Sequence, residues 1–181
     1  MASQAGPDDL DELTLARAQR GDAAACRDLV LRYQRPVFAL LSRLLWRSGR
    51  EGMTEDLAQE TFLRAFRALP TFERNGPAKL STWLLTIGTR LALDELRKKP
   101  LLPPPLPESR DRADASVLRA ALAKAIDELP AEYRAAFLLR EAHGFSTAEV
   151  ARALRIEEGT VKSRLSRAKE ALRKSLGGED V

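Results

Sequence analysis

The chain has 181 residues, enough for one domain or two small ones. Lys and Arg number 30 against 26 Asp and Glu, so the formal charge is only +4, which permits a nucleic-acid partner without demanding one. One cysteine, Cys26, excludes an internal disulfide and a thiolate metal cluster, and no apolar run approaches the ~18 residues of a membrane span.

The N-terminal stretch is acidic and carries no basic, apolar leader, so a cytoplasmic protein with no membrane insertion of its own is expected. Apolar residues recur at helical spacing along nearly the whole chain, without hairpin signals, which predicts an all-α fold. The first helix is expected from near Asp9 to Arg20, ending at Gly21, and the second from Asp22 to about Trp46. The second carries Leu29, Val30, Tyr33, Val37, Leu40, Leu41 and Leu44 inward, with Pro36 as a possible kink, and Cys26 reads as a small packed side chain. Gly49 and Gly52 mark a turn. A third helix, Thr54 to Leu69, is stopped by Pro70, and a fourth runs from Ser81 to Lys98.

The third helix sorts into two faces. Phe62, Ala65, Phe66 and Leu69, with Ala58 above, read as core, whereas Asp56, Gln59, Glu60, Leu63 and Arg67 face outward. A surface Glu60–Arg64 pair and one ordinary exposed leucine explain that outer face equally well. On the fourth helix Leu80, Trp83, Leu84, Ile87 and Leu91 form the apolar stripe, and Thr86, Arg90, Leu93 and Arg97 a neighbouring one. A polar loop, residues 72–79, precedes it.

Five prolines between Lys99 and Ser116 favour extended geometry reaching roughly 50 Å at ~3.1 Å per residue. Residues 99–116 therefore read as a tether between domains 1–98 and 117–181, with an ordered loop inside one domain as the alternative. Beyond it, a helix carries Leu118, Leu122, Ala125, Ile126 and Leu129 inward, and Pro130 opens another that ends near Gly144. Ser146 and Glu149 have capping-box spacing, and the helix they open buries Val150, Ala151 and Leu154. A turn is expected over residues 155–158, then a last helix burying Val161, Leu165, Ala168, Leu172 and Leu176.

Two helices around a short turn, the second strongly basic, make a helix-turn-helix and point to DNA. With that apolar stripe inside, Thr160, Ser163, Arg164 and Arg167 face outward near the helix start, where base edges are met; Lys162, Lys169 and Arg173 flank them and suit phosphates. The competing reading is a solvated amphipathic helix. The capped first helix, short turn and single-sign charge together favour DNA.

These residues also carry a resemblance. Residues 129–172 are similar to the promoter-reading region 4 of extracytoplasmic-function sigma factors, the small members of the sigma-70 family, and the run Gly159 to Ala168 is close to the family pattern. Response regulators share a Gly-Thr-Val-Lys run, but the N-terminal half resembles sigma region 2 as well: Gly21 to Tyr33, Asp56 to Phe72 and Thr82 to Lys99 follow in the family's order. The resemblance implies that Asp56, Gln59, Glu60, Leu63 and Arg67 dock on core RNA polymerase. It also implies that the loop and the fourth helix hold a flipped base of the melted minus-10 strand, with Arg74, Asn75, Lys79, Thr86, Arg90 and Arg97 as candidates. Thr160, Lys162, Ser163, Arg164, Arg167 and Lys169 would meet the minus-35 duplex, and an anti-sigma partner is implied as well. The chain departs from the pattern at Leu80, Ser81, Thr89 and Arg90, where Phe, Arg, Arg and Asn are frequent, so the site carries over but not its base preference.

A stand-alone DNA-binding regulator, with an N-terminal half that senses a ligand or dimerises, is the rival reading. An enzyme is disfavoured: His143, the only histidine, sits at a helix end, Asp94 and Glu95 point apart, and no phosphate loop or metal spacing occurs. No cofactor and no metal are expected.

Overall fold

The computed structural model describes residues 10–98, except 75 and 77, and residues 117–177. Among these residues there are only helices and turns, and no helix is long and apolar enough to cross a membrane. The expected tether, residues 99–116, lies outside the described residues.

The first four helices pack as one bundle: α1 (Glu12–Gln19), α2 (Ala23–Leu45), α3 (Thr54–Ala68) and α4 (Leu80–Arg97). Two aspartates start the first pair. Asp11 accepts from the Thr14 N–H and Asp22 from the Ala25 N–H, both at 2.9 Å, and these bonds hold each carboxyl below its ordinary pKa. Gly21 takes the left-handed conformation at φ +81°, and α2 runs unbroken across Pro36. Leu29, Tyr33, Val37, Leu40, Leu41 and Leu44 are buried, as their spacing predicts. Cys26 is half-buried with its Sγ 3.7 Å from the Ala18 carbonyl, a packed thiol whose pKa burial raises.

Pro70 ends α3 through a 3₁₀ turn, Leu69–Thr71. The crossing of α3 and α4 is close. A Cβ at Gly88 would lie 3.3 Å from Thr61 Oγ1, tighter than an ordinary contact, so glycine lets the two helices approach without displacing the Thr61 side chain. At the other end of α4, Arg50 and Glu95 form a buried ion pair, and Arg50 also donates to the Lys98 carbonyl at 3.1 Å. This ties the turn after α2 to the end of α4.

The second group comprises α5 (Val117–Glu128), α6 (Ala131–Phe137), α7 (Thr147–Leu154) and α8 (Glu158–Ser175). Between α6 and α7 the sequence reading foresaw one helix running to Gly144. The chain instead widens into a π turn, Leu138–Ala142, then reverses at Gly144 with φ +70°. The Ser146–Glu149 capping box forms in full. The turn between α7 and α8 is one residue shorter than expected, because α8 begins at Glu158. It is made by Arg155 in the left-handed conformation, φ +56°, which costs about 1 kcal/mol for a residue with a Cβ. Leu122 and Leu176, read as core, are instead 39% and 40% exposed; Leu176 follows the last turn of α8, beyond the buried Leu172.

The two groups are not held apart. Helix α4 packs on α7 and α6, and α2 on α6.

Breaking the Arg50–Glu95 pair leaves a buried carboxylate short of one partner. Arg50→Met should lower stability by about 3 kcal/mol in chemical denaturation. Lys98 first, then the Arg50 charge, hold the Glu95 carboxyl below its ordinary value. Its contribution is therefore complete above the unfolded value of about 4.3 and is lost as pH falls through the folded one. The gap between wild type and variant should accordingly narrow below that pH.

Candidate nucleic-acid interface

Burial of one stripe orients α8. Val161, Ala168 and Leu172 are buried and Leu165 packs half-buried beside them. Thr160, Lys162, Ser163, Arg167 and Lys169 are exposed on the opposite side. Arg164 is the exception: its side chain is only 18% exposed, because Glu132 at the start of α6 pairs with it at 2.5 Å. Arg167 Nη1 donates to the Tyr133 hydroxyl at 3.1 Å, and Lys169 pairs with Glu141 at 2.9 Å. The Ser163 hydroxyl donates to its own helix, at the Thr160 carbonyl, leaving its oxygen to accept. Three of the six predicted cations and hydroxyls are thus held in place by α6 and the π turn. Sequence reasoning missed Glu132, Tyr133 and Glu141, which meet α8 only through the tertiary fold.

The loop before α4 is anchored from α1. Gln19 Nε2 donates to the carbonyls of Leu69 at 3.1 Å and Phe72 at 2.8 Å. Phe72 and Trp83 then pack at 5.0 Å between ring centroids, leaving Trp83 half-buried with part of the indole accessible, as expected. Arg74 and Lys79 are exposed, and Asn75 lies outside the described residues. Thr86 spends its hydroxyl proton on the Thr82 carbonyl, and Arg97 pairs with Asp94 at 3.0 Å.

Arg90 departs from the expectation. It was placed on an open stripe facing DNA, yet its Nε donates to the Ala153 carbonyl at 3.0 Å and its Nη2 to that of Arg152 at 2.7 Å. Partial burial, with Arg155 nearby, lowers the pKa of its guanidinium. The reason is physical: the last turn of α7 has carbonyls without intrahelical donors, and a guanidinium is the best donor within reach. Leu93 of the same stripe is buried outright.

The outer face of α3 appears as read. Asp56, Gln59 and Arg67 are exposed, Leu63 is 50% exposed, and Glu60 pairs with Arg64 at 2.7 Å. Phe62 lies beneath it, buried. An adjoining groove of about 580 Å³ between α2 and α3 is lined by Val30, Gln34, Arg35, Phe38, Gln59 and Phe62. Phe38, 40% exposed, was not singled out from the sequence, where it reads only as an aromatic off the buried stripe.

Comparison with known proteins agrees with this layout. Residues 29–100 match the model of sigma-70 region 2 and residues 119–172 that of sigma-70 region 4. The chain is 32% identical over 185 residues to the RNA polymerase sigma-H factor of Pseudomonas aeruginosa, covering 92% of this chain and 93% of that one. It belongs to the extracytoplasmic-function sigma factors of the sigma-70 family. The extracytoplasmic-function sigma factor SigE of Mycolicibacterium smegmatis is 37% identical over 86% of this chain, which spans 64% of that protein's length. The sigma factor RpoE of Bartonella quintana, solved with the anti-sigma factor NepR, superposes with a TM-score of 0.68 at 25% identity, over 85% of this chain and 98% of that one.

As a sigma factor the chain directs promoter-specific initiation by RNA polymerase and is not itself an enzyme. Helix α8, expected to meet the DNA polyanion, already has two of its arginines engaged internally. Glu132→Gln should release Arg164 and remove a charge that repels phosphate. Affinity of the full chain for duplex promoter DNA, read by fluorescence anisotropy, should rise a few-fold. The slope of log affinity against log salt should steepen, because one carboxylate fewer opposes the phosphates beside this face. Unchanged affinity and slope would mean that Arg164 does not reach the duplex.

Proposed function

We propose that the two helical groups divide promoter recognition between them. Residues 1–98 act as region 2, gripping core polymerase and capturing the melted minus-10 strand. Residues 117–181 act as region 4 on the minus-35 duplex, and residues 99–116 link them, threading toward the polymerase active centre. The observation that carries the reading is the outward face of α8, where Thr160, Lys162, Ser163 and Arg167 stand exposed, after a fully capped α7 and a tight turn.

On this reading Thr160, Ser163, Arg164 and Arg167 enter the major groove, where arginine pairs bidentately with guanine. Lys162 and Lys169 hold phosphates and fix the register. In region 2, Arg74, Asn75 and Lys79 surround the displaced base, with Thr86 and Arg97 along α4, and Trp83 supports the loop from below. Arg90 joins them once it leaves α7. The α3 face places Asp56, Gln59 and Glu60 against basic groups of the polymerase, with Leu63 filling a small apolar contact and Arg67 at the margin. The nucleotidyl transfer and its metals belong to the polymerase. The protein works in the cytoplasm, where the polymerase is. An anti-sigma factor, the kind of partner bound in the Bartonella quintana complex, covers these surfaces when the factor is held inactive.

Run-off transcription with reconstituted holoenzyme tests the whole assignment, and an absence of promoter-dependent transcript would count against it. Arg164→Ala or Arg167→Ala should cost about 1–3 kcal/mol in minus-35 binding and leave assembly with core polymerase intact. Leu63→Ala combined with Glu60→Lys should do the opposite. Holoenzyme no longer forms on a sizing column, while affinity for minus-35 duplex is kept; retained assembly would reject the α3 face.

A further inference from the structure

Two consecutive residues of α6 hold two neighbours on one face of α8. Glu132 pairs with Arg164, and the Tyr133 hydroxyl accepts from Arg167 Nη1 at 3.1 Å. Arg164 and Arg167 lie about one helical turn apart, so the first turn of α6 meets a single turn of α8. The two ties differ in kind. Glu132 is an anion and cancels the charge it holds, as Glu141 does for Lys169. A phenol is neutral, so Arg167 is held without losing its charge. The same hydrogen bond raises the pKa of that guanidinium. The hydroxyl is itself a fixed point. The Tyr133 ring is half-buried against the core, and its backbone N–H bonds the Pro130 carbonyl at 2.9 Å where α6 begins. The tie uses only Nη1. Among the described residues Nε and Nη2 of Arg167 make no hydrogen bond, and those two nitrogens form one edge of the planar fork, open for a bidentate pair.

We propose that Tyr133 is a positioning residue for sequence readout, setting the orientation in which Arg167 meets a base edge. The role rests on the minus-35 reading of α8 above. An exposed arginine has many rotamers, and losing them on binding costs affinity. A guanidinium already tied at one nitrogen has given up part of that freedom before the duplex arrives. The tie also decides how the charge is used. A free guanidinium follows whichever phosphate is near, and such contacts carry no sequence information. One fixed at Nη1 presents the same edge on every approach, and a base that does not match leaves that edge unpaired. Removing the hydroxyl therefore lowers discrimination between sequences, while the charge, and with it the attraction to any duplex, stays as it is.

Tyr133→Phe tests this, because it keeps the ring and its packing and deletes only the hydroxyl. The full chain first selects from a pool of duplexes randomised over one helical turn. The preferred duplex and a shuffled duplex of the same composition then serve as probes. In fluorescence anisotropy Tyr133→Phe should bind the preferred duplex about three- to ten-fold more weakly, the range expected for one immobilised side chain. Its affinity for the shuffled duplex and its salt dependence should be those of the unmodified chain. In an Arg167→Ala background the same substitution should change nothing further. Selection repeated with Tyr133→Phe should relax the preference at the position that Arg167→Ala relaxes. A loosened fold would instead weaken every position alike. Unchanged affinity for the preferred duplex, equal loss on both duplexes, a loss that persists without Arg167, or relaxation at other positions would overturn the role of Tyr133 and leave the reading of α8 standing. If the unmodified chain prefers no sequence, or Arg167→Ala changes no position of it, the minus-35 reading of that arginine falls and the positioning role falls with it.

Discussion

A helix of a small bundle buries one stripe, and in this sigma factor that constraint decides which side chains are left to face outward. Once Val161, Ala168 and Leu172 are sealed, Thr160, Ser163 and Arg167 have no direction left but outward. Once Phe62, Ala65 and Leu69 are sealed, α3 must show Asp56, Gln59, Leu63 and Arg67. The functional faces are the complement of the core, and the same few apolar residues hold the fold and aim the contacts. Replacing a core residue would therefore disturb recognition without touching a base or the polymerase.

The second organising force is the need of helix ends for donors. Arginines answer it repeatedly: Arg90 at the end of α7, Arg134 at the end of α2, and Arg50 at the Lys98 carbonyl after α4. Composition gives no hint of this, since a basic chain with a DNA partner is expected to send its arginines to phosphate. Here several are spent on backbone carbonyls, and the acids Glu132 and Glu141 hold two more cations of the recognition face. On the proposed reading, DNA binding by this protein is an exchange of internal acceptors for external ones. Its strength depends on both sets.

What was legible in the sequence was local. Asp22 before three alanines, Pro70 after Leu69, and Ser146 three residues before Glu149 each mark a helix boundary through bonds that span three or four residues. The inward stripes of α2, α3 and α8 follow from spacing alone. The illegible part depends on distance in space. Arg90 meets Ala153 across 63 positions and Arg164 meets Glu132 across 32, and no periodicity encodes such a meeting. The π turn at Leu138–Ala142 was hidden for another reason: its residues have ordinary helix propensity, and the widening shows itself only in backbone bonds such as that from the His143 N–H to the Leu138 carbonyl. Leu176 had the right spacing but stands where the bundle has ended.

The missing side chain at Gly88 has a mechanical meaning. With no methyl group to hold them apart, α3 and α4 pack closely at Thr61, so the outward face of α3 and the polar loop before α4 belong to one packed unit. How near the two helix axes lie is set by one small residue.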